Sequence, residues 1–376
     1  MNAQLLGGIS PQQFLDEYWQ KQPLLVRQAV PGFQGLISPA DTRNFACQED
    51  QEARLVWKDQ SQWHMLHAPL RKRDFPKSGP WTVLLQGLNL ILPEADELLR
   101  QFSFIPYARL DDLMVSYATD GGGVGPHFDS YDVFLLQGMG KRRWRVSAQT
   151  DLTLVEDAPL RILQHFKATR EWVLEPGDML YLPPKYAHDG VAIGECMTYS
   201  IGFRAPSARE LTTAFLGYLE EKLSQEGMYS DPDLRATATP AKLPEQMSER
   251  VAAMLARIKW AQRDVGDFLG TYLSEPKQHV FFDPPREELS PTAFRRAALK
   301  RGIRLDLRSQ MLYRPGRFYL NGEIFVVPQN DAKLFRRLAN ERTATELDGL
   351  SVNSWSLLWE WYDEGFLHLQ GGGRKA

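Results

Sequence analysis

Six short strand-like segments between residues 113 and 203 constrain the fold of this chain more than any other feature. Each is a largely apolar run, and turns that contain glycine or proline separate the runs from one another. The segments are residues 113–118, 127–137, 142–146, 171–174, 179–182 and 197–203. Closely spaced short strands of this kind predict a β-barrel or a β-sandwich.

The residues before this region are predicted to form helices and one strand. Ser10 and Pro11 favour the start of a helix, because serine caps the first turn and proline fits the first helical position. Residues 24–26 predict a strand. The apolar residues of segment 81–100 recur with a helical period, with a break at Pro93, and therefore predict helix.

The chain becomes helical after Pro206. The predicted helices are residues 211–223, 247–273 in two pieces, 291–300, 331–340 and 352–365. Asn321 and Gly322 form the strongest two-residue signal for a β-hairpin, and helices around a short hairpin are typical of a winged-helix-like module. We therefore predict an α+β protein whose three domains cover residues 1–206, 207–284 and 285–376.

Composition limits the chemistry and the partners of the protein. Only two of the 376 residues are cysteines, which excludes a disulfide framework and a four-cysteine zinc site. The formal net charge of -3 shows no global excess of positive charge for binding nucleic acid. The most apolar stretch, residues 81–92, is shorter than the roughly 20 residues that span a bilayer. The first eight residues lack the pattern of a signal peptide, so we expect a cytoplasmic protein.

A glycine-rich segment, residues 121–125, leads into His127 and Asp129. Residues two apart on a strand point to the same side, so this imidazole and carboxylate project together. A Pro-Gly-Asp turn, a strand and a Pro-Pro loop then precede His188. Two histidines and one carboxylate with open coordination positions form the facial triad of non-haem Fe(II) oxygenases. Purely structural histidines are the alternative, and the combination of the two segments favours the metal.

An inward-facing arginine indicates the cosubstrate. Arg142 alternates with Trp144 and Val146, which places all three side chains on the apolar interior face of a strand. A buried arginine requires an anionic partner, and a carboxylate bound by two nitrogens is the natural one. The distal carboxylate of 2-oxoglutarate fits this requirement while its keto-acid end chelates the iron. Ser116 is predicted to donate to the same carboxylate, and Thr198 is a second candidate.

Together these motifs resemble the JmjC (cupin-type) 2-oxoglutarate oxygenases. The resemblance rests on H-x-D at residues 127–129, the basic residue fifteen positions after the first histidine, and the pattern PGDxxYxPPxxxH at residues 176–188. Residues 111–114, 121–127, 131–134 and 199–206 narrow it to the bacterial ribosomal oxygenases. The resemblance covers the whole chain, with most of the motifs before Pro206.

This resemblance implies a double-stranded β-helix (cupin or jelly-roll) catalytic domain, an α-helical dimerisation domain and a winged-helix-like C-terminal domain. It implies Fe(II), 2-oxoglutarate and O2 as reactants, and an arginine side chain of large-subunit ribosomal protein sixteen as the substrate. The residues it implies are His127, Asp129 and His188 for iron, and Arg142 and Ser116 for 2-oxoglutarate. Thr198 stands where asparagine is expected in close relatives, and both residue types form hydrogen bonds.

The same strand supplies candidates for binding the substrate. Asp112 and Met114 alternate onto the face of Ser116, and an acid beside a thioether suits a guanidinium with its methylene stem. Tyr131 is predicted to form a wall of the channel, and Ser200 to add a hydrogen bond. The alternative is that the aspartates are surface acids and the tyrosine belongs to the core.

Other functions stay open at this point. A JmjC oxygenase that modifies histidine, asparagine or tRNA is the nearest alternative, and a non-catalytic cupin that binds ribosomes is an alternative of a different class. A cupin isomerase fits less well because such sites use more histidines and a glutamate. Lysine demethylation fits less well because the motifs match hydroxylases.

The C-terminal half carries two candidate interaction surfaces. Residues 295–317 contain eight basic residues and a single acid, which favours either a nucleic-acid site or a solvated protein-contact surface. The acidic residues of the later helices favour the second interpretation. The helices of residues 211–273 are predicted to form a two-fold dimer interface, because their apolar faces must be buried against something.

Overall fold

The computed structural model describes residues 3–60, 62–222 and 228–371. Three predictions fall partly outside these ranges: those for the N-terminal segment at residues 1 and 2, for the helix end at residue 223, and for the domain end at residues 372–376.

One large antiparallel sheet dominates the first half of the chain. Its strands are β1 (Leu24–Val26), β2 (Ala53–Asp59), β3 (Gln62–His67), β4 (Trp81–Leu85), β5 (Leu110–Ala118), β6 (Val133–Ser147), β7 (Arg170–Leu174), β8 (Met179–Leu182) and β9 (Ala187–Phe203). They pair in the order β1-β8-β6-β9-β5-β4-β2-β3, and β7 pairs with β6. The predicted run of strands is therefore confirmed, although β5, β6, β7 and β9 extend beyond the segments that the sequence predicts.

Strand β6 is a single strand of fifteen residues, where the sequence predicts separate strands at 127–137 and 142–146. Its pairing register with β9 shifts between Gln137 and Lys141, which marks bulges. Bulges bend a strand and disturb its alternation. The first half of β6 pairs with β8 and the second half with β7. The bend therefore lets one strand form hydrogen bonds with two different neighbours along its length.

The bulges also change which residues of β6 point inward. Val133 and Leu135 share a buried cluster with Trp144 and Val146, so inward positions are odd before the bulges and even after them. Arg142 lies on the even, inward side and is 4% exposed. The predicted inward orientation of this arginine is confirmed.

Three helices cover the outer face of the sheet. They are α1 (Pro11–Glu17), α2 (Pro39–Phe45) and α3 (Pro93–Arg100). Ser10 caps α1 as predicted, because its hydroxyl accepts a hydrogen bond from the Gln13 amide at 3.1 Å. Phe14 of α1 and Leu98 of α3 pack with Phe134 in the largest core cluster.

The prediction of helix over residues 81–100 is wrong for its first half. Residues 81–85 form β4, and all five are buried between β2 and β5. A strand that is buried on both faces is a continuous apolar run, which periodicity cannot distinguish from a buried helix. A short 3-10 helix follows at Leu88–Leu90, and α-helix begins at Pro93.

The second half of the chain contains helices and two small sheets. Its helices are α4 (Ala208–Lys222), α5 (Glu245–Leu255), α6 (Gln262–Ser274), α7 (Pro291–Arg301), α8 (Ala332–Glu341) and α9 (Val352–Asp363). Its strands are β10 (Ile303–Leu305), β11 (Met311–Arg314), β12 (Arg317–Leu320), β13 (Glu323–Phe325), β14 (Thr343–Ala344) and β15 (Leu367–Leu369). Strands β11–β13 form one sheet, and β14, β10 and β15 form the other.

The C-terminal module has its own core and the predicted hairpin. Asn321 and Gly322 join β12 to β13 with φ angles of 51° and 91°, so both adopt the left-handed conformation that such a turn requires. Phe294, Leu338 and Trp361 are fully or almost fully buried in a cluster that is separate from the first-half core. The predicted helices of this module are confirmed with small shifts at their ends.

Internal contacts engage much of the basic stretch at residues 295–317. Arg308 pairs with Asp306, and Arg317 lies 3.3 Å from Asp267. Arg295 stacks over the ring of Trp355. These contacts leave less unpaired positive charge for phosphate than the sequence suggests. In the part of the chain that the structure describes, no helix combines the length and apolarity needed to cross a membrane.

Candidate active site

His127, Asp129 and His188 come together at one point inside the barrel. Their candidate ligand atoms all lie within 4.8 Å of one another. The Nε2 of His188 is 3.6 Å from Oδ2 of Asp129, and the two imidazole centroids are 4.2 Å apart. Residues that are far apart in sequence therefore converge, as the motif predicts.

The main chain positions the two histidines. The amide of His127 donates to the carbonyl of His188 at 2.9 Å, and the amide of His188 donates back at 2.8 Å. The amide of Lys185 donates to the carbonyl of Asp129 at 2.7 Å. The predicted strand at residues 127–137 is wrong here, because residues 128–132 lie outside strands and His127 forms an isolated bridge.

Backbone carbonyls orient the two imidazoles. Nδ1 of His127 lies 2.9 Å from the carbonyl of Gly125, and Nδ1 of His188 lies 2.9 Å from that of Tyr186. An imidazole whose Nδ1 donates to a carbonyl presents the lone pair of Nε2, which is the usual tautomer of a metal ligand. Both Nε2 atoms are thus available to one ion.

Gly125 is required for this arrangement. Its φ is +76°, and a Cβ there would lie 2.6 Å from a ring atom of Trp63 and 2.9 Å from Ile162. A side chain would therefore displace the carbonyl that orients His127. The glycine-rich segment therefore packs closely against the site as a structural loop. Its sequence lacks the Gly-Lys-Ser/Thr pattern of a phosphate-binding loop, which agrees with this role.

The electrostatics of the pocket keep one ligand neutral. Burial, and next the adjacent His127, lower the pKa of His188 to about 4, against the opposing effect of Asp129. At neutral pH the imidazole of His188 is therefore uncharged. This is the form that binds a metal. Two imidazoles and one carboxylate, with nitrogen and oxygen donors only, suit Fe(II) with open positions.

Arg142 lines the same cavity and retains an unpaired donor. Its Nη1 donates to the hydroxyl of Ser116 at 3.0 Å, and its Nε lies 3.4 Å from Sγ of Cys196. Its Nη2 has no hydrogen-bond partner among the described residues, and neither has the buried Nε1 of Trp144, which also lines the cavity. Buried donors without partners cost about 1–3 kcal/mol each. These two donors fit the carboxylate of an oxoacid.

The structure separates the two predicted partners of Arg142. Ser116 lines the cavity and its hydroxyl accepts from Arg142, which leaves the hydroxyl proton free for the predicted donation to a ligand. Thr198 does not line this cavity, and its hydroxyl donates to Oε1 of Gln137 at 2.9 Å. The geometry therefore does not support Thr198 as a cosubstrate ligand.

The whole cavity has a volume of about 460 Å³. The predicted substrate residues line it together with the metal-ligand candidates and Arg142. Asp112, Met114, Tyr131 and Ser200 all line it. Asp112 is 8% exposed, so it is not the surface acid of the alternative interpretation. Tyr131 is 41% exposed and thus is not a core residue.

Several lining residues escape prediction from the sequence. Arg54 and Met65 come from the β2–β3 hairpin, Arg161 comes from the loop before β7, and Lys277 follows α6. Nothing in their local sequence marks them as site residues. Trp144 had a signal, since its alternation with Arg142 already placed it on the inward face.

A second, larger groove lies elsewhere. It has a volume of about 700 Å³ and runs between α6 and the β11–β12 hairpin. Its lining contains neither a histidine nor a carboxylate. Reactive groups therefore concentrate in the smaller cavity, and size alone does not identify the site.

Comparisons with known proteins agree with this geometry. The JmjC domain model matches residues 97–211, and the ROXA-like winged helix model matches residues 254–368. The chain is 33% identical to the ribosomal protein uL16 3-hydroxylase of Escherichia coli over 323 residues, which are 85% of this chain and 86% of that protein. It is 39% identical to a probable ribosomal oxygenase of Haemophilus influenzae over 254 residues, 66% of this chain and 61% of that protein.

Solved structures show the same similarity. The crystal structure of E. coli YcfD superposes with a TM-score of 0.85 at 30% identity, covering 96% of this chain and 98% of that one. YcfD in complex with cobalt and 2-oxoglutarate gives 0.81 at 30% identity, covering 96% and 99%. The predicted cupin fold with a C-terminal winged helix is therefore confirmed. The chain belongs to the JmjC-domain family of ribosomal oxygenases.

Proposed function

We propose that this chain is an Fe(II)- and 2-oxoglutarate-dependent oxygenase that hydroxylates an arginine side chain of ribosomal protein uL16, the large-subunit protein sixteen. The observation that carries the proposal is the content of one cavity: three converging metal-ligand candidates, a buried arginine with a free donor, and a buried acid. The names of the relatives support the ribosomal substrate.

In this proposal His127, Asp129 and His188 hold the iron, and Arg142 with Ser116 binds the distal carboxylate of 2-oxoglutarate. When bound, iron and 2-oxoglutarate activate O2 for insertion into a C–H bond, with release of succinate and carbon dioxide. The protein contributes positioning and exclusion of water. The apolar cluster around Val133 and Leu135 keeps the inner barrel dry, since these side chains are at most 5% exposed.

The other part of the cavity is proposed to bind the substrate. Asp112 accepts the guanidinium, because a buried carboxylate and an arginine form a strong charge-assisted pair. Met114 contacts the methylene stem, and Tyr131 and Ser200 line the path of the side chain. A neutral histidine or an asparagine would bring no positive charge of its own to this carboxylate, so the acid favours arginine over these alternatives.

A non-catalytic ribosome-binding cupin remains the alternative of a different class. Such a module has no use for the unpaired Nη2 of Arg142 or for a neutral imidazole beside Asp129. Failure of the purified protein to form succinate with iron, 2-oxoglutarate and ribosomal protein would favour it.

The test of the proposed function is mass spectrometry of ribosomal proteins from cells with and without this gene. We expect uL16 to gain the mass of one oxygen atom on an arginine only when the gene is present. Complementation with Asp129→Ala is the control and should not restore the modification. Unmodified uL16 in wild-type cells, or modification of another residue type, would contradict the proposal.

We further propose that two copies of the chain pair through α4, α5 and α6. This region exposes large apolar side chains: Leu216 of α4 and Leu255 of α5 are each 59% exposed, and Trp260, between α5 and α6, is 55% exposed. Exposed apolar surface on adjacent helices is most simply covered by the same surface of a second copy. We also propose that the domain boundaries lie at residues 206 and 284. We propose a cytoplasmic location as well, because ribosomes work there.

A further inference from the structure

The segment between α6 and α7, residues 275–290, reaches the acidic part of the cavity. Lys277 in this connector lines the cavity, with its Nζ 3.4 Å from Oδ1 of Asp111 and 3.9 Å from Oδ2 of Asp112. Two residues later, Nε2 of His279 lies 4.0 Å from Glu52. A residue far from the barrel in sequence thus completes the wall that we propose for the substrate guanidinium.

The two oxygens of Asp112 have different surroundings. Oδ2 accepts a hydrogen bond from the amide of Gly87 at 3.1 Å and is the oxygen that faces Lys277. Oδ1 accepts no hydrogen bond from the described residues. Lys277 lies closer to Asp111, which also receives Arg204 at 3.5 Å. The lysine therefore contributes its charge without occupying the free oxygen.

The charge of Asp112 depends on its neighbours. The pKa of Asp112 is raised to about 6: burial is the main cause, Asp111 and Glu52 add to it, and Lys277 is the largest opposing influence, with the Gly87 amide second. Burial opposes the charge of Lys277, but the surrounding carboxylates raise the pKa of this lysine above its usual value. Lys277 is therefore an ammonium at neutral pH. Arg54, Tyr131 and Arg204 are further charged or titratable groups near this part of the cavity.

We propose that Lys277 is a positioning residue that keeps Asp112 ionised with Oδ1 open, so that the connector sets the selectivity of the cavity for arginine at neutral pH. This inference rests on the proposed arginine hydroxylation. In the competing role, the Lys277 ammonium occupies the position of the substrate guanidinium, and the substrate must displace it in order to bind. The two roles predict opposite changes in the KM of the peptide.

The experiment compares Lys277→Met with Lys277→Arg and His279→Ala in the full-length protein. The KM and kcat for an arginine peptide of uL16 are measured from pH 5.5 to 8.5 with saturating iron and 2-oxoglutarate. In Lys277→Met we expect the pKa of Asp112 to rise by roughly one unit from about 6, so the peptide KM should rise about threefold at pH 6.5 and about eightfold at pH 5.5. The rise should shrink at pH 8.5, while kcat and the KM for 2-oxoglutarate stay unchanged.

Lys277→Arg keeps the charge and should keep the wild-type profile. His279→Ala removes the neighbouring contact of the connector without touching Asp112, so it should also leave the profile unchanged. A lower peptide KM in Lys277→Met would overturn the proposal in favour of the substrate mimic. An equal change in His279→Ala would overturn it in favour of simple anchoring of the connector.

A second measurement separates this inference from the proposed function. Carbon-13 NMR of labelled aspartate follows the carboxyl titration of Asp112 without any peptide, and Asp112→Asn identifies its signal. The midpoint should move to higher pH in Lys277→Met and stay in place in Lys277→Arg. An unmoved midpoint overturns the inference, whereas a moved midpoint in a protein that does not hydroxylate arginine overturns the proposed function alone.

Discussion

His127 and His188 exchange both of their backbone hydrogen bonds, at 2.9 and 2.8 Å, so the main chain aligns the two imidazoles without help from an ion. Replacing either side chain should therefore remove a ligand and leave the backbone pair intact. We expect His188→Ala to lose binding of Fe(II) or Co(II) and all hydroxylation, while its circular dichroism spectrum stays native. The exposed His165→Ala serves as the control. Wild-type metal affinity in His188→Ala, measured by calorimetry, would refute the ligand assignment.

The role of Arg142 is tested against its neighbour on β6. Arg142 is buried, whereas the side chain of Arg143 is 49% exposed and lies 3.7 Å from Glu171. Losing one partner of a buried charge pair costs several kcal/mol, so Arg142→Met should raise the KM for 2-oxoglutarate roughly a hundredfold. Arg143→Met should leave it unchanged. Ser116→Ala removes one hydrogen bond and should raise it about fivefold. Similar values for the two arginine variants would exclude Arg142 as the cosubstrate ligand.

Asp112 is predicted to act on the peptide and not on the cosubstrate. Asp112→Ala should lower kcat/KM for an arginine peptide roughly a hundredfold, with 2-oxoglutarate binding preserved. The exposed Asp120→Ala is the control. Because the pKa of Asp112 is raised to about 6, the carboxylate exists above that pH and is protonated below it. The wild-type kcat/KM should therefore fall as the pH is lowered through 6, and unchanged peptide turnover in Asp112→Ala would defeat the assignment.

The proposed dimer depends on apolar side chains of α4 and α5. The double change Leu216→Glu and Leu255→Glu places charges on that surface, and burying unpaired charges is costly. Sedimentation analysis should then show a monomer where the wild type is a dimer. Leu299→Glu, at a position on α7 that is 40% exposed, is the control and should leave the dimer intact. A monomeric wild-type protein would contradict the proposed dimer. A dimer that survives the double change would show that the interface lies elsewhere.

Asp306 should stabilise the C-terminal module. It is 5% exposed, and it accepts from Arg308 and pairs with His368, each at 2.7 Å. Removing it leaves buried charge uncompensated, so Asp306→Ala should lower the free energy of unfolding by about 3 kcal/mol in urea titrations at neutral pH. The exposed Asp348→Ala is the control.

The same carboxylate gives this stabilisation a definite pH dependence. Burial raises the pKa of Asp306, but the bonds from His368 and Arg308 outweigh burial and hold it below its ordinary value. A depressed pKa contributes stability above the unfolded value of about 3.9, and the contribution disappears as the pH falls below it. The difference between wild type and Asp306→Ala should therefore shrink in acid, and a constant difference would contradict this assignment.

Much of the site follows from local patterns in the sequence. The spacing of His127 and Asp129, the turn before His188 and the alternation around Arg142 each reflect the geometry of a few consecutive residues. The chemistry of these side chains then restricts which ligands they can hold. Thr198 shows the limit of such arguments, because its hydroxyl is engaged by Gln137 from a neighbouring strand.

The sequence by itself determined the strand-rich catalytic half, the helical second half, the Asn321-Gly322 hairpin and the identity of the metal-ligand candidates. Only the tertiary structure decided that residues 81–85 form a central strand, that bulges make β6 continuous, and that Lys277 lies beside Asp112. The physical reason is one of range. Periodicity and turn chemistry arise from neighbouring residues. Burial, a shifted pKa and the charge of Lys277 beside Asp112 arise from segments that meet only when the chain folds.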